Sequence, residues 1–81
     1  MDNKTSIFNV AELRQELILM TLNEVIDSLE KQGYDATNQL VGYIISGDIK
    51  YITSYNNSRK KIASYNRSEV LKALINAYLG R

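Results

Sequence analysis

The chain has 81 residues, of which 44% are hydrophobic, ten basic and nine acidic, for a formal net charge of +1; that is chain enough for one domain. Cysteine and histidine are both absent, which removes disulfides, thiolate metal sites, the commonest general base and the commonest neutral metal ligand. No apolar run approaches the ~18 residues of a membrane span, and the opening MDNKTSIFN lacks the positive-then-apolar layout of a signal peptide, so a cytoplasmic protein is the simplest reading.

Residues 1–7 are short, polar and terminal, and predict a flexible N-terminal tail carrying the hydroxyls of Thr5 and Ser6. Residues 8–81 then read as a single helical domain. Asn9 and Glu12 have the spacing of a capping box, and Phe8 and Leu13 that of a hydrophobic staple. A helix is therefore expected over residues 10–32, ended by Gly33. At about 100° per residue, Ile18, Leu22, Val25, Ile26 and Leu29 share one face, while Val10, Leu13, Leu17 and Met20 share another. A helix that is wet on one side has no use for two apolar faces. Leu13, Leu17 and Met20 are accordingly read as a dimer face, with a second copy of the chain as the simplest partner.

Asp35 is the next cap, and a helix over residues 36–46 is expected to bury Leu40, Val41, Ile44 and Ile45. Gly42, in its middle, costs about 1 kcal/mol relative to alanine, which the close approach of another backbone would explain. Gly47 closes this helix, and Asp48 caps one short helical turn over residues 49–52. A polar helix follows, from residue 53 or 54 to about residue 64, anchored by Tyr55, Ile62 and Tyr65. Asn66 and Glu69 make a second capping box before a last helix over residues 67–79, ended by Gly80. Its stripe of Val70, Leu71, Leu74, Ile75, Tyr78 and Leu79 is the cleanest in the chain. The expected fold is all-α: a compact bundle of about four helices plus one short helical turn, with a flexible N-terminal tail, assembled as a homodimer.

Charge is unevenly spread. Residues 1–35 hold seven acids and three bases, a net of −4, and residues 36–81 hold two acids and seven bases, a net of +5. An acidic helix lying on basic ones, or two chains pairing head to tail, accounts for this; a basic face for an anionic partner is the alternative. Catalysis has little to work with. Glu12 and Glu16 stand at helical spacing but read as a solvated acidic face, and SGD and QGY lack the lysine and spacing of a phosphate loop. No catalytic residue, metal site or cofactor is expected. The rival to a protein-binding regulator is a small helix-turn-helix-like nucleic-acid-binding regulator, because a polar helix with Arg59, Lys60 and Lys61 follows the glycine turn, with Tyr55 and Asn57 alongside. A near-neutral total charge weighs against it.

The densest punctuation lies in residues 33–59, GYDATNQLVGYIISGDIKYITSYNNSR. Here Gly33, Tyr34, Asn38, Gln39, Val41, Gly42, Tyr43, Ser46, Gly47, Asp48, Tyr51 and Arg59 form a pattern that resembles the IreB-type regulatory phosphoproteins. The likeness continues through Ile62, Arg67 and Glu69 to Tyr78 and Leu79, and upstream Thr5, Phe8 and Asn9 look like the family's TxxFN element. The chain departs from the pattern at Ala36, Ile49 and Thr53, where proline is usual, and at Asp35, where asparagine is; Ser6 and Ile7 also differ. Proline at a first helical position presets φ and sacrifices no bonded N–H, so its loss should loosen helix starts without moving them. The resemblance implies a small cytoplasmic, all-helical homodimer without catalytic activity. It also implies phosphorylation of the tail by a transmembrane Ser/Thr protein kinase, at Thr5 by position, and a role in cell-wall stress responses through a further protein partner. Asn38, Gln39, Tyr43, Asn57 and Arg59 are the polar remainder of the motif and the candidate interaction surface.

Overall fold

Among the described residues, four α-helices and two short 3-10 turns make up the fold: α1 (Val10–Lys31), α2 (Ala36–Ser46), the 3-10 turns Ile49–Tyr51 and Tyr55–Asn57, α3 (Ser58–Ala63) and α4 (Arg67–Leu79). This computed structural model describes residues 9–81; the expected tail with Thr5, and the Phe8 half of the expected staple, lie outside the described residues. α1 starts where the sequence places it. Asn9 Oδ1 accepts the backbone N–H of Ala11 at 3.0 Å and of Glu12 at 3.4 Å. Glu12 answers through the Asn9 side-chain amide at 3.1 Å rather than through its backbone N–H, a variant of the capping box. At the other end the Gly33 N–H donates to Glu30 O and the Tyr34 N–H to Leu29 O, each at 3.0 Å, the pair of bonds of a Schellman ending.

α1 is the spine on which α2, α3 and α4 pack. Its buried residues Ile18, Leu22, Val25 and Leu29 meet Leu40 and Tyr43 of α2, Ile52, Ile62 of α3, and Val70 and Ala73 of α4 in one core. Each fully buried aliphatic side chain contributes roughly 1.5–3 kcal/mol, so this set carries the protomer. Ser28 Oγ is buried among them without a hydrogen-bond partner.

Several expectations need correction. In α2 the core face runs through Ala36, Leu40 and Tyr43, with Ile44 at its edge; Val41 and Ile45 are exposed, Ile45 at 78%. The first 3-10 turn packs against α2, and Tyr43 faces inward. The neighbour of Gly42 is not a backbone but the ring of Tyr51, whose Cδ1 and Cζ would lie 2.6 and 2.7 Å from an added Cβ. The helix expected from residue 53 or 54 is interrupted: Asn56 (φ 57) and Asn57 (φ 62) are both left-handed, so a 3-10 turn and a separate six-residue α3 replace it. Asparagine is among the few non-glycine residues that tolerate this region. Of the three expected anchors, Ile62 is buried, Tyr65 half-buried and Tyr55 exposed. The second capping box is half made: Asn66 Oδ1 accepts the Glu69 N–H at 2.9 Å, but the Glu69 carboxylate turns to Arg14 instead. Finally, the α4 stripe is only partly core. Val70 is buried and Leu74 half-buried, whereas Leu71, Ile75, Tyr78 and Leu79 are exposed; Ala73, a small residue outside the expected stripe, is buried in their place.

Candidate functional site

The central motif builds a hydrogen-bonded corner. α2 ends at Gly47, where φ of +75° is a conformation that costs other residues about 1–2 kcal/mol. The Gly47 N–H donates to Tyr43 O at 2.8 Å. The Arg67 guanidinium from the start of α4 fills the space beside Gly47, with Cζ 2.8 Å from where a Cβ would stand. Its Nη1 donates to Ile44 O at 3.0 Å, so a cation sits on the last carbonyls of α2, at the negative end of that helix. Across the turn, Gln39 Nε2 donates to Tyr51 O at 3.0 Å and Arg59 Nε donates to Ile52 O at 2.7 Å. Two long polar side chains therefore satisfy backbone carbonyls that the short 3-10 turns leave without helical partners.

This changes the standing of the candidate interaction residues. Tyr43, at 6% exposure, belongs to the core and presents no surface. Gln39 and Arg59 are half-buried, and Gln39 Nε2 and Arg59 Nε are engaged with backbone carbonyls. Asn38 is exposed, but its Nδ2 donates to Asp35 Oδ2 at 3.0 Å and its N–H to Asp35 Oδ1 at 3.2 Å. Asn57 is exposed and makes no capping bond to α3. Arg59 and Lys61, two of the three bases expected to face nucleic acid, are held within the chain; Lys61 Nζ lies 3.1 Å from Glu24 Oε1 of α1. With α3 only six residues long and two of its three bases engaged within the chain, the helix after the turn is a poor match for a groove-reading helix.

The α1–α4 junction gathers the strongest electrostatics. Arg14 and Glu69 pair in a fork, Arg14 Nε to Glu69 Oε2 and Nη2 to Oε1 at 3.0 Å, the geometry that makes an arginine–carboxylate bond directional. The Arg14 guanidinium also lies 5.1 Å from the centre of the Tyr65 ring. The hydrogen bond and charge of Arg14 hold the Glu69 carboxyl below its ordinary value, and the same bond raises Arg14. Each shift follows from an ion pair between helices, as a tie would produce, not from burial of a reacting acid. Beside it, Asn76 Nδ2 donates to Gln15 Oε1 at 3.0 Å and Gln15 Nε2 to Arg81 O at 2.9 Å. An open groove of about 620 Å³ runs along this junction, lined by Asn9, Glu12, Leu13, Gln15, Asn76 and Arg81 among others. Among the described residues no cluster of acids could hold a metal ion, and no helix is long and apolar enough to cross a membrane.

Several large apolar side chains are also left open to solvent. Leu13, Leu17 and Met20 are 44–58% exposed, and Val10 extends the same side of α1. Sequence reasoning missed a second such surface, Leu71, Ile75 and Tyr78 of α4, the last 90% exposed, because one continuous stripe was taken for one core face. The signal was its width: from Ala73 round to Leu79 the apolar arc covers well over the ~100° that a single helix contact needs.

Thr5 has no described position; its standing rests on sequence. The family model of the IreB regulatory phosphoprotein matches residues 3–80, nearly the whole chain.

Proposed function

The chain belongs to the IreB regulatory phosphoprotein family, and we propose that it works as a non-enzymatic cytoplasmic regulator. In this reading a Ser/Thr protein kinase phosphorylates Thr5, and the protein acts as a homodimer through protein–protein contacts. One observation carries the reading: the family match begins at residue 3 and so takes in Thr5. The sequence resemblance implies a transmembrane kinase upstream and a cell-wall stress or antibiotic-tolerance response downstream. The folded body supports a binding role, because its long polar motif residues are used to close the corner while apolar helix faces stay open.

Phosphate at Thr5 would add about −1.5 to −2 charges at neutral pH, four residues before the cap of α1. The free N–H groups of a helix start favour such a charge, and Lys60 and Arg67 offer alternative anchors on either protomer. Exposed Asn38 and Asn57, with the outer parts of Gln39 and Arg59, are the polar surface offered to a downstream protein. Incubation of wild type and Thr5→Ala with the cognate kinase and ATP tests the modification. One phosphate on wild type and none on the variant is expected; equal incorporation would remove Thr5 as the principal site.

A further inference from the structure

The open groove at the α1–α4 junction has the chain's own entry point on its rim: Asn9, where the described residues begin, is one of the residues that line it. Its α1 wall carries Leu13, which is 48% exposed, and the carboxylates of Glu12 and Glu16. Its other wall is Asn76 and Arg81. Arg81 is held there by its backbone, its N–H donating to Asn76 O at 2.8 Å and its carbonyl accepting from Gln15 Nε2 at 2.9 Å. Among the described residues, neither Glu12 nor Glu16 pairs with a base.

Residues 1–8 lead into this rim, and their side chains match its walls. Ile7 and Phe8 come next to Asn9, with Phe8 at staple spacing to Leu13. Farther out are one base, Lys4, and one acid, Asp2. The length also fits. Five extended residues from Asn9 back to Lys4 span up to roughly 17 Å, and Glu16 lies roughly 10 Å along the helix from Asn9. A tethered segment meets its seat at an effective concentration on the order of millimolar, so a few modest contacts hold it. We propose that the groove is the seat of the chain's own first eight residues, with Lys4 against Glu12 and Glu16 and Asp2 toward Arg81, and that phosphate on Thr5 releases them. The release rests on the reading of Thr5 as the modified residue. Phosphate adds about −1.5 to −2 charges beside Lys4 and sets them against two carboxylates, which the single guanidinium of Arg81 does not offset. Asn9 already takes the N–H groups of Ala11 and Glu12, so the helix start has less to offer the phosphate than an uncapped one. Seated, the segment covers Leu13 and the two acids; released, it uncovers them for a downstream protein.

The chain has no cysteine, so Asn3→Cys supplies a single thiol for a nitroxide label. Paramagnetic broadening of the Asn76 and Arg81 amide signals then reads whether the segment lies in the groove, and strong broadening is expected at both. Glu16→Lys should cut it at least about twofold, as should Lys4→Glu, and the two reversals together should restore most of it. Glu16 is exposed, and the rest of the amide spectrum checks that each variant stays folded. A labelled chain synthesised with phosphothreonine in place of Thr5 should show broadening no stronger than the Glu16→Lys chain. Broadening that ignores both charge reversals, or that arises only between separate chains in a mixture of nitroxide-bearing and isotope-labelled molecules, overturns the seat. Broadening retained with phosphothreonine overturns the release. Because the phosphate is built in, neither result depends on a kinase: release by the synthetic phosphate upholds the switch even where the kinase leaves Thr5 unmodified, an outcome that removes only the assignment of Thr5 as the kinase's target.

Discussion

Gly42 has the Tyr51 ring where a side chain would begin, and Gly47 has the Arg67 guanidinium in the same relation. Both glycines belong to the central motif, and both are closely packed by side chains of their own chain. Gly42 sits mid-helix at an ordinary φ, so its replacement sets two effects against each other. Alanine gains about 1 kcal/mol of helix propensity but must push aside an aromatic ring, at the roughly 1–3 kcal/mol typical of overpacking. The ring is 39% exposed, which gives it some room to move and puts the expected net loss at about 1 kcal/mol. In a Tyr51→Ala background the obstacle is gone, and Gly42→Ala should then stabilise by up to about 1 kcal/mol. Urea unfolding of the four chains measures this reversal of sign. Equal effects of Gly42→Ala in both backgrounds would show that the ring is not what keeps residue 42 small.

Helix limits were readable wherever a short polar side chain caps the next turn: Asn9, Asp35, Asp48 and Asn66 all accept the backbone bonds expected of them. The break at Asn56 and Asn57 was not readable, since asparagine fits a polar helix surface and a left-handed turn equally well and only tertiary packing decides between them. Glu69 was misjudged for a related reason. Its spacing to Asn66 satisfies a local box, yet Arg14, 55 residues away in sequence, competes for the carboxylate with a fork of two charged bonds. That competition has a pH signature. The Arg14 hydrogen bond, aided by its charge, the Asn66 backbone and Lys72, lowers Glu69 from its ordinary 4.5, against a smaller opposing effect of burial. A carboxyl depressed on folding stabilises above its unfolded value, and that contribution is lost as pH falls from 4.5 through the lower folded value. Arg14, raised further by its bond to Glu69, stays charged throughout and adds no pH dependence near neutrality. Glu69→Gln should therefore melt below wild type at neutral pH, with the gap closing as pH falls below the ordinary glutamate range. The tie is at the surface, so the gap will be modest and will shrink with salt. Thermal melts of both chains across this range check it, and a gap that persists unchanged in acid would mean that the ion pair is not what links α4 to α1.

Across the whole molecule, the inner face of α1 could be read from sequence because its apolar residues recur at helical spacing along its length; Ile18, Leu22, Val25 and Leu29 are the core. The apolar residues of α2 and α4 were overcounted as core because periodicity reports which side of a helix is apolar, not how much of that side its own chain can cover. A chain of this size buries only a little over 60% of the surface it exposes when unfolded, and here the remainder includes Leu13, Leu17, Leu71, Ile75 and Tyr78. If a second copy covers those residues, folding and assembly are linked. Stability of a linked dimer rises with protein concentration by mass action, and stability of a monomer does not. Wild type should show a thermal midpoint that climbs by a few degrees for each tenfold increase in concentration. Leu17→Glu keeps the buried core, because Leu17 is 44% exposed in the protomer, but puts a charge into the seam, where it would lose hydration without finding a partner. Its midpoint should be independent of concentration and should coincide with wild type extrapolated to high dilution. Scanning calorimetry over a hundredfold concentration range distinguishes the cases: a wild-type midpoint as flat as that of Leu17→Glu would mean that the exposed stripes are not covered by another copy of the chain, and a variant that melts without cooperativity would place Leu17 in the protomer's own core.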